Sequence, residues 1–536
     1  MTTEQRLAEA ISEALGSIHV QLEPAEVSLV RPARLEHGDW STNVALVKAK
    51  SAQLAPRELA TRLKDVLGSM EIEGVLGIDV AGPGFVNFKL ASSWLHEVVR
   101  DVITQGEENY ATLDIGGGER VQIEFVSANP TGPLHVGNGW LGSYGDALAR
   151  IMSRCGWKVQ REYYVNDTGG QIRLLGESLL ARRSGQEVPE NGYQGEYVTK
   201  LADVYDGPED ITQAGAFASD EILRNIRSTL DRISICFDEW YSQASIEDSG
   251  RVQETIELYR DRGLVFEQDG ATWLKSTEFG DTRDRVLVRS DGNITYLAGD
   301  LAYHRDKFLV RKFDRVIDIF GADHHGQVAS LKAGVAALGV DTDRLEIRLG
   351  QLVNFVGAKM SKRAGNFIKL DDVIDDIGPD ATRLLSLLNS IDQATTLDLD
   401  LMTHHSAENP VFYIQYAHAR IASIERKRLE RNIERVALGE VDLSVLTHDR
   451  ELELARQLCD LPHVLSEAAR ERAPHKVTTW ARTLAGEFHG FYHDCRVLSE
   501  EVPPELTQAR LWLVEAVRVG LAISLGLLGV RAPEEM

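Results

Sequence analysis

The sequence predicts a multidomain α/β protein, with an N-terminal α+β domain, a central domain built on a parallel sheet wound on both faces, and a C-terminal all-α helical bundle. Three observations carry this. At 536 residues the chain exceeds what one hydrophobic core holds, since domains run to roughly 100–200 residues. From about residue 121 to 385 strand-like runs alternate with helical patterns, the order that builds a parallel sheet. Beyond about residue 390 strand signals largely vanish and four long helical periodicities follow one another, as in a bundle.

In the first hundred residues EQRLAEAISEALGSI and PRELATRLKDVL read as helices, and VSLVRP, GIDVAG and FVNFKL as short strands. HGDWSTNVALVKAK places a helix N-cap at Ser41 or Thr42. The polar, glycine-rich GEENYATLDIGGGER reads as a linker, which assigns residues 1–110 to the first domain. The central domain, 111–390, opens with the strand VQIEFV, a helix from about Gly137 to Cys155 and the strand KVQREYYV. It resumes with RVIDIFGADHH, the helical QVASLKAGVAALG and the strand-like LEIRLGQLVNFV. Between them, about 166–290, the composition is polar and the period mixed, as in an insertion, and RVLVRSDGNITYLAGD carries an Asp291-Gly292 hairpin signal between two strand-like runs. Residues 391–536 form the helical domain.

Apolar residues at 43% and charged residues at 26% are ordinary for a globular protein and argue against disorder. No run of 18 wholly apolar residues occurs, and the start MTTEQRLAEAISEAL carries acidic charge, unlike a secretory signal. A cytoplasmic protein with no membrane partner is expected. Cys155, Cys236, Cys459 and Cys495 form no C-x-x-C pair, so neither a zinc knuckle nor a redox dithiol is suggested. The net charge of −24 argues against a coat of nucleic acid, so a polyanionic partner would need a local basic face. RIASIERKRLERNIER, residues 420–435, is one such face, and a solvated helix surface is its simpler alternative.

Two stretches could carry chemistry. SANPTGPLHVGNGWLG, residues 127–142, follows VQIEFV directly but contains neither Gly-Lys-Ser/Thr nor G-x-G-x-x-G. The helix after it offers unpaired N–H groups and a positive dipole end, which suit a phosphate. Gly132, Gly137 and Gly139 permit close approach, and His135 and Asn138 can donate to anionic oxygens. A proline-bearing turn around a satisfied histidine is the alternative. The second stretch is KMSKRAGN, residues 359–366, where Lys359 and Lys362 flank a small polar residue and Gly365 suits a loop that brings an ammonium onto a triphosphate. Alone it reads better as a solvated loop.

In this order, and on an α/β pattern, HVGN and KMSKR resemble the HIGH and KMSKS signatures of the class I aminoacyl-tRNA synthetases. EFVSANPTGPLHVGN, YYVNDTGGQI, YLAGDLAYH, GADHHGQ, HGDWSTNVAL, AGPGFVNFKL and GLLGVRAPEEM are similar to the arginyl-tRNA synthetases, and the resemblance spans essentially the whole chain. It implies a Rossmann-like catalytic domain that forms arginyl-adenylate and pyrophosphate from arginine and ATP, then passes arginine to the 3′ end of its tRNA. It also implies Mg²⁺ carried with ATP, no zinc, and a monomer that needs bound tRNA before it activates arginine.

Carried over by motif, His135, Lys359 and Lys362 would be catalytic, and His135, Gly137, Asn138, Lys359, Met360, Ser361 and Lys362 would bind ATP. Glu124, Ser127, Asn129, Asn138, Tyr296, Asp300 and His324 would hold arginine, with Asp300 as the guanidinium partner, because a planar, permanently charged guanidinium is matched by a carboxylate that accepts two parallel hydrogen bonds. His324 stands where eukaryotic members carry a glutamine, which leaves its role open, and Arg363 replaces the usual serine of the second signature. The N-terminal domain would contact the tRNA corner at the D-loop and the bundle its anticodon, where Tyr413, Tyr416 and Arg420 are candidates for stacking on unpaired bases, with core packing as the alternative for the tyrosines. The other readings are a HIGH-type nucleotidylyltransferase, which the last 140 or so residues argue against, and a non-catalytic tRNA-binding paralogue.

Overall fold

The computed structural model describes residues 3–32, 34–351, 353–356, 368–398, 402 and 408–536. The chain divides into two compact units, one of Met1–Tyr110, Ile424–Asp460 and Gly486–Gly520, the other of Ala111–Ser423, Leu461–Ala485 and Leu521–Met536.

In the first unit the helix Thr3–Ser17 buries Leu7, Ile11, Ala14 and Leu15 along one face, and Pro56–Ser69 buries Leu59, Leu63 and Leu67. Such spacing at three and four residues is the amphipathic pattern that predicted both. They accompany an antiparallel sheet whose strands run Leu29–Val30, Trp40–Thr42, Phe85–Leu90, Val75–Ala81 in spatial order. Two local expectations are corrected. Ser41 and Thr42 pair with Asn87 and Val86 in the sheet, so the N-cap falls one residue later, at Asn43, while Thr42 Oγ1 still accepts from the Val44 N–H at 3.3 Å. The expected linker begins as helix, because Ser93–Asn109 continues past a kink at Gly106. Arg100 donates to the carbonyls of Leu438 and Val441, both at 2.8 Å, and the Tyr110 hydroxyl donates to the Leu458 carbonyl at 2.7 Å, which joins the N-terminal residues and these later segments in one core.

The second unit is built on five parallel strands, β1 (Arg120–Glu124), β2 (Lys158–Val165), β3 (Glu239–Ser242), β4 (Arg315–Gly321) and β5 (Leu345–Gly350), in the order β3-β2-β1-β4-β5. Central β1 has strands on both sides and continues into Phe125; Val121, Ile123 and Phe125 are inaccessible to solvent. From β1 the chain winds outward through β2 and β3, then returns to the other side of β1 as β4. The crevice beyond the carboxyl ends of β1 and β4 is therefore the switch point at which such sheets bind ligands. The helix α1 (Val136–Arg154) leaves that crevice and α2 (Tyr296–Arg305) borders it.

The stretch read as an insertion returns to the main sheet at β3, a short edge strand whose EWYS sequence has no apolar run to announce it. The Asp291-Gly292 turn does bring Ile294 back onto Val288, but the run after it is helix. Thr295 caps it by accepting from the Ala298 N–H at 3.3 Å, and YLAGDLAYHR follows as α2. LEIRLGQLVNFV is two strands rather than one, since Val353–Val356 pairs in parallel with Thr395–Asp398 outside the main sheet. The four C-terminal helices lie at Pro410–Glu430, Asp449–Glu471, His475–Asp494 and Pro504–Leu528. The last is long and apolar enough to cross a membrane, yet 72% of its most apolar window is buried within the protein, as in a core helix. The architecture is the predicted multidomain α/β fold with a helical C-terminal region.

The second unit holds a buried ion pair. Arg383 and Asp146 are both buried and bonded to each other, and Arg383 also donates to the Ile233, Ser234 and Leu528 carbonyls. Burial raises the Asp146 pKa, but Arg383 and Arg150 outweigh it and hold the carboxyl below its usual range. Removing one partner strands the other charge in the core, so Asp146→Ala is predicted to lower unfolding free energy by about 3–5 kcal/mol. The urea midpoint, with the slope unchanged, measures this.

Candidate active site

A cavity of about 1490 Å³ opens at the carboxyl ends of β1 and β4. Its walls include Glu124, Ser127, Asn129, His135, Gly137 and Asn138 from the stretch between β1 and α1, Tyr296 and Asp300 from α2, and His324 from the turn Ala322–Gln327. The candidate site residues from these segments thus meet in one place. Lys359, Met360, Ser361, Lys362 and Arg363 lie outside the described residues. Gln351 and Ile368–Lys369, on either side of that stretch, both line the cavity. The Val136 N–H donates to the Ile368 carbonyl at 3.0 Å and the Leu370 N–H to the Leu134 carbonyl at 2.9 Å, so the second signature's carboxyl flank runs beside HVGN.

The start of α1 is held by its own signature. His135 is the N-cap: its Nδ1 accepts from the Asn138 N–H at 3.3 Å, while Asn138 Oδ1 accepts from the His135 N–H at 3.0 Å. This reciprocal box satisfies two backbone donors with two side chains. An Nδ1 that accepts places the neutral ring's proton on Nε2. Desolvation in the cleft lowers the His135 pKa, against a smaller raising effect of Asp323. Two expectations narrow here. Val136 and Asn138 already spend their N–H groups on protein, which leaves the Gly137 N–H without a protein partner among the described residues. The close approaches are also to protein: a Cβ on Gly137 would lie 2.9 Å from His135 Cε1, and one on Gly139 would lie 2.5 Å from Leu370 Cδ1.

Between β1 and α1 the backbone is strained. Val126 has φ 67° and Ser127 φ 37°, and a β-branched residue in the left-handed region costs of order 1–3 kcal/mol. The turn aims Ser127 back at the strand end, where its hydroxyl donates to Glu124 Oε1 at 3.0 Å and accepts from the Tyr164 N–H at 3.1 Å. Asn129 donates to Gln171 Oε1 at 2.8 Å.

Tyr296 and Asp300 are four residues apart on α2, hence on one face. Tyr296 is 78% exposed and opens the helix. Among the described residues the Asp300 carboxylate has no hydrogen-bond donor, although it lines the cavity. Burial is the main cause that raises its pKa to about 6; Glu124 and Asp318 add to the rise, while His304 and Lys307 oppose it. His324 is half-buried in the cavity lining, its Nδ1 3.3 Å from Gln327 Oε1 and its ring 5.4 Å from that of Phe320.

Bordering the cavity lies a charged layer of which sequence reading named only Glu124. Glu124, Asp318 and Glu162 occupy one register row across β1, β4 and β2, all buried. Lys307, inaccessible to solvent, donates to Glu124 Oε2 at 2.7 Å and Asp318 Oδ1 at 2.9 Å. His304 Nε2 stands 2.8 Å from Asp318 Oδ2, and its Nδ1 lies 2.7 Å from the Asp300 carbonyl. Tyr303 and Arg311 bind Glu162. A π-helical turn, Asp306–Val310, follows α2 and carries Lys307. Burial raises the Asp318 pKa, yet Lys307 and His304 prevail and hold it at about 2; burial tends to discharge Lys307, but Asp318 and Glu124 keep its pKa raised. One signal was available: Glu124, Glu162 and Asp318 interrupt VQIEFV, REYYV and RVIDIF, and a charge inside a buried strand needs a partner.

The bundle candidates Tyr413, Tyr416 and Arg420 lie on the helix Pro410–Glu430 and are not part of the cavity. Tyr416 stacks on Phe412 with centroids 5.4 Å apart, and the Arg420 guanidinium lies 4.4 Å over the Tyr416 ring. Tyr413 is half-buried.

Comparison with known proteins agrees with this geometry. The model of the class I (R) tRNA synthetase catalytic domain matches residues 99–425, that of the arginyl tRNA synthetase N-terminal domain residues 5–90, and that of the DALR anticodon binding domain residues 414–536. The chain belongs to the arginyl-tRNA synthetase family. Among the family's members, it is 44% identical to an arginine–tRNA ligase of Desulforamulus reducens over 96% of this chain and 95% of that one. It is 45% identical to the arginine–tRNA ligase of Frankia alni, with both chains covered completely. The arginyl-tRNA synthetase structure from Thermus thermophilus shares its fold, with a TM-score of 0.78 at 23% identity over 99% of each chain.

The box at His135 makes a stability prediction for this member of the arginyl-tRNA synthetase family. Asn138→Ala removes the acceptor for the His135 N–H and should cost about 0.5–1 kcal/mol, whereas Asn138→Asp keeps an acceptor at the helix N-terminus and should cost less. Thermal melting of both variants against the parent checks the order.

Proposed function

We propose that this cavity activates L-arginine with ATP and then charges tRNA with it. A carboxylate oxygen of arginine attacks the α-phosphate, the bond to pyrophosphate breaks, and arginyl-adenylate forms. A ribose hydroxyl of the tRNA's terminal adenosine next attacks the arginyl carbonyl carbon and AMP leaves. Such transfers are catalysed by positioning and charge stabilisation.

One observation carries the arginine reading: the Asp300 carboxylate lines the cavity without a donor among the described residues and is desolvated enough that its pKa reaches about 6. A guanidinium supplies the missing charge and two parallel donors. Tyr296 stands on the same helix face, and Glu124, Ser127 and Asn129 line the same space. Asn138 positions the His135 backbone through its side-chain oxygen, so His135 Nε2 and the Gly137 N–H are the donors assigned to the α-phosphate, with charge stabilisation left to Lys359 and Lys362. Mg²⁺ enters as part of the ATP substrate, because it bridges phosphate oxygens and needs few protein ligands. His324 lines the same cavity.

On this reading residues 1–110 contact the tRNA corner, 111–390 hold the chemistry, and 391–536 read the anticodon, with the Phe412–Tyr416–Arg420 ladder as a stacking surface. The enzyme acts as a cytoplasmic monomer, and bound tRNA precedes arginine activation.

Purified protein with cognate tRNA, ATP and labelled amino acid should form arginyl-tRNA, and lysine should not replace arginine. Pyrophosphate exchange should require tRNA, which an assay without it measures directly. Arginine binding should also depend on pH with a definite sign. Burial raises the Asp300 pKa to about 6 in the protein alone, and a bound guanidinium favours the carboxylate, so binding below that value must expel a proton. The KM for arginine should be flat above about pH 7 and rise up to ~tenfold per unit below about pH 6. Asp300→Asn should remove that limb and raise arginine KM about 10- to 100-fold, leaving ATP KM little changed, since one charge-assisted contact is lost. Equal effects on both ligands would refute the role.

A further inference from the structure

Lys307 is inaccessible to solvent and does not line the cavity, yet it holds a carboxylate that does. Its ammonium donates to Glu124 Oε2 at 2.7 Å and to Asp318 Oδ1 at 2.9 Å, and lies 4.2 Å from the Tyr303 ring centroid. The two carboxylates are register neighbours on β1 and β4, so the backbone sets their separation. Glu124 is fixed at its other end too, where Oε1 accepts from Ser127 at 3.0 Å, and Ser127 is pinned in turn by the Tyr164 N–H. Each carboxylate oxygen has two lone pairs, so Glu124 gives one per oxygen to these partners and keeps acceptor capacity in a single orientation.

We propose that Lys307 is a positioning residue for arginine: by holding Glu124 against Ser127 it fixes a second guanidinium acceptor beside Asp300, without itself entering the cavity. This rests on the reading of the cavity as an arginine site. Lys307 is delivered to the row by the π-helical turn, a local departure from α geometry that occurs often at functional sites. A purely neutralising lysine would serve only to cancel charge. The two roles separate experimentally, because deleting one cation and one anion restores the charge balance but not the hydrogen bond to Glu124.

The test measures arginine KM, ATP KM and kcat in full-length enzyme with cognate tRNA for Lys307→Met and for Lys307→Met combined with Asp318→Asn. Methionine approximates the length of the lysine stem, and the double variant carries the parent's net buried charge. Positioning predicts an arginine KM raised about tenfold in both variants, with ATP KM within about twofold of the parent. A double variant whose arginine KM returns to the parent's value overturns the proposal, as does a single variant in which arginine and ATP KM rise together. If Lys307→Met alone does not fold, the charge-balanced double variant is judged by the same arginine-to-ATP comparison. A parent enzyme that charges no arginine fails the site reading itself, whereas an active parent with an unchanged arginine KM in the variants fails only the role of Lys307.

Discussion

Three carboxylates in one row across a parallel sheet, two of them held by a lysine that never meets solvent, set the terms for the rest of the second unit. Glu124, Asp318 and Glu162 would repel one another at strand spacing, and each would lose its hydration on burial. Lys307 between Glu124 and Asp318, with Arg311 on Glu162, makes the row tenable. Apolar residues of similar volume would serve stability as well or better. The row therefore makes most sense by what it borders, the cavity at the switch point, where Asp300 adds a carboxylate that no protein donor satisfies among the described residues.

Opposite charges are thus prepared in different parts of one cavity. The α2 side has a carboxylate without a hydrogen-bond donor among the described residues. The α1 side has a helix N-terminus, the Gly137 N–H and an imidazole held in one tautomer by the Asn138 N–H. A guanidinium-bearing amino acid and a triphosphate have complementary requirements. The strain at Val126 and Ser127 belongs to the same design, since that turn lets one short segment both anchor Glu124 and lead the chain into α1.

Much of this was legible in the sequence, and what was not has physical causes. The helices Thr3–Ser17 and Val136–Arg154 and the strands β1, β2 and β4 announce themselves by periodicity or by apolar runs bounded by turn residues. Strand β3 does not, because an edge strand of four half-covered residues needs no apolar run. YLAGD after a hairpin turn reads as the returning strand until Thr295 is recognised as a cap; that single cap brings Tyr296 and Asp300 one helical turn apart instead of four residues along a strand. In the cavity, residue type pointed to His135 and Asn138 and the family resemblance to Glu124, Ser127 and Asp300, but spacing says nothing about side chains that meet only through the fold. Lys307 comes from a π turn more than 180 residues after Glu124, and its partnership exists only because β4 lies beside β1.

The relation between the two signature stretches follows the same logic. Val136 and Leu370 exchange backbone bonds with Ile368 and Leu134, so the donor that starts α1 is spent on the chain just beyond KMSKR rather than on a ligand. An orphan N–H at a helix start is normally satisfied by water or a cap; here it is used to fix where the second stretch ends. Ile368 and Lys369, on the carboxyl side of that stretch, lie beside Val136 and His135. That anchoring ties two segments more than 200 residues apart to one side of the cavity. It also explains why Gly139 is a glycine: Leu370 must come within 2.5 Å of where its Cβ would be. The irregular composition of HVGNG thus serves the meeting of two chain segments at least as directly as it serves a ligand.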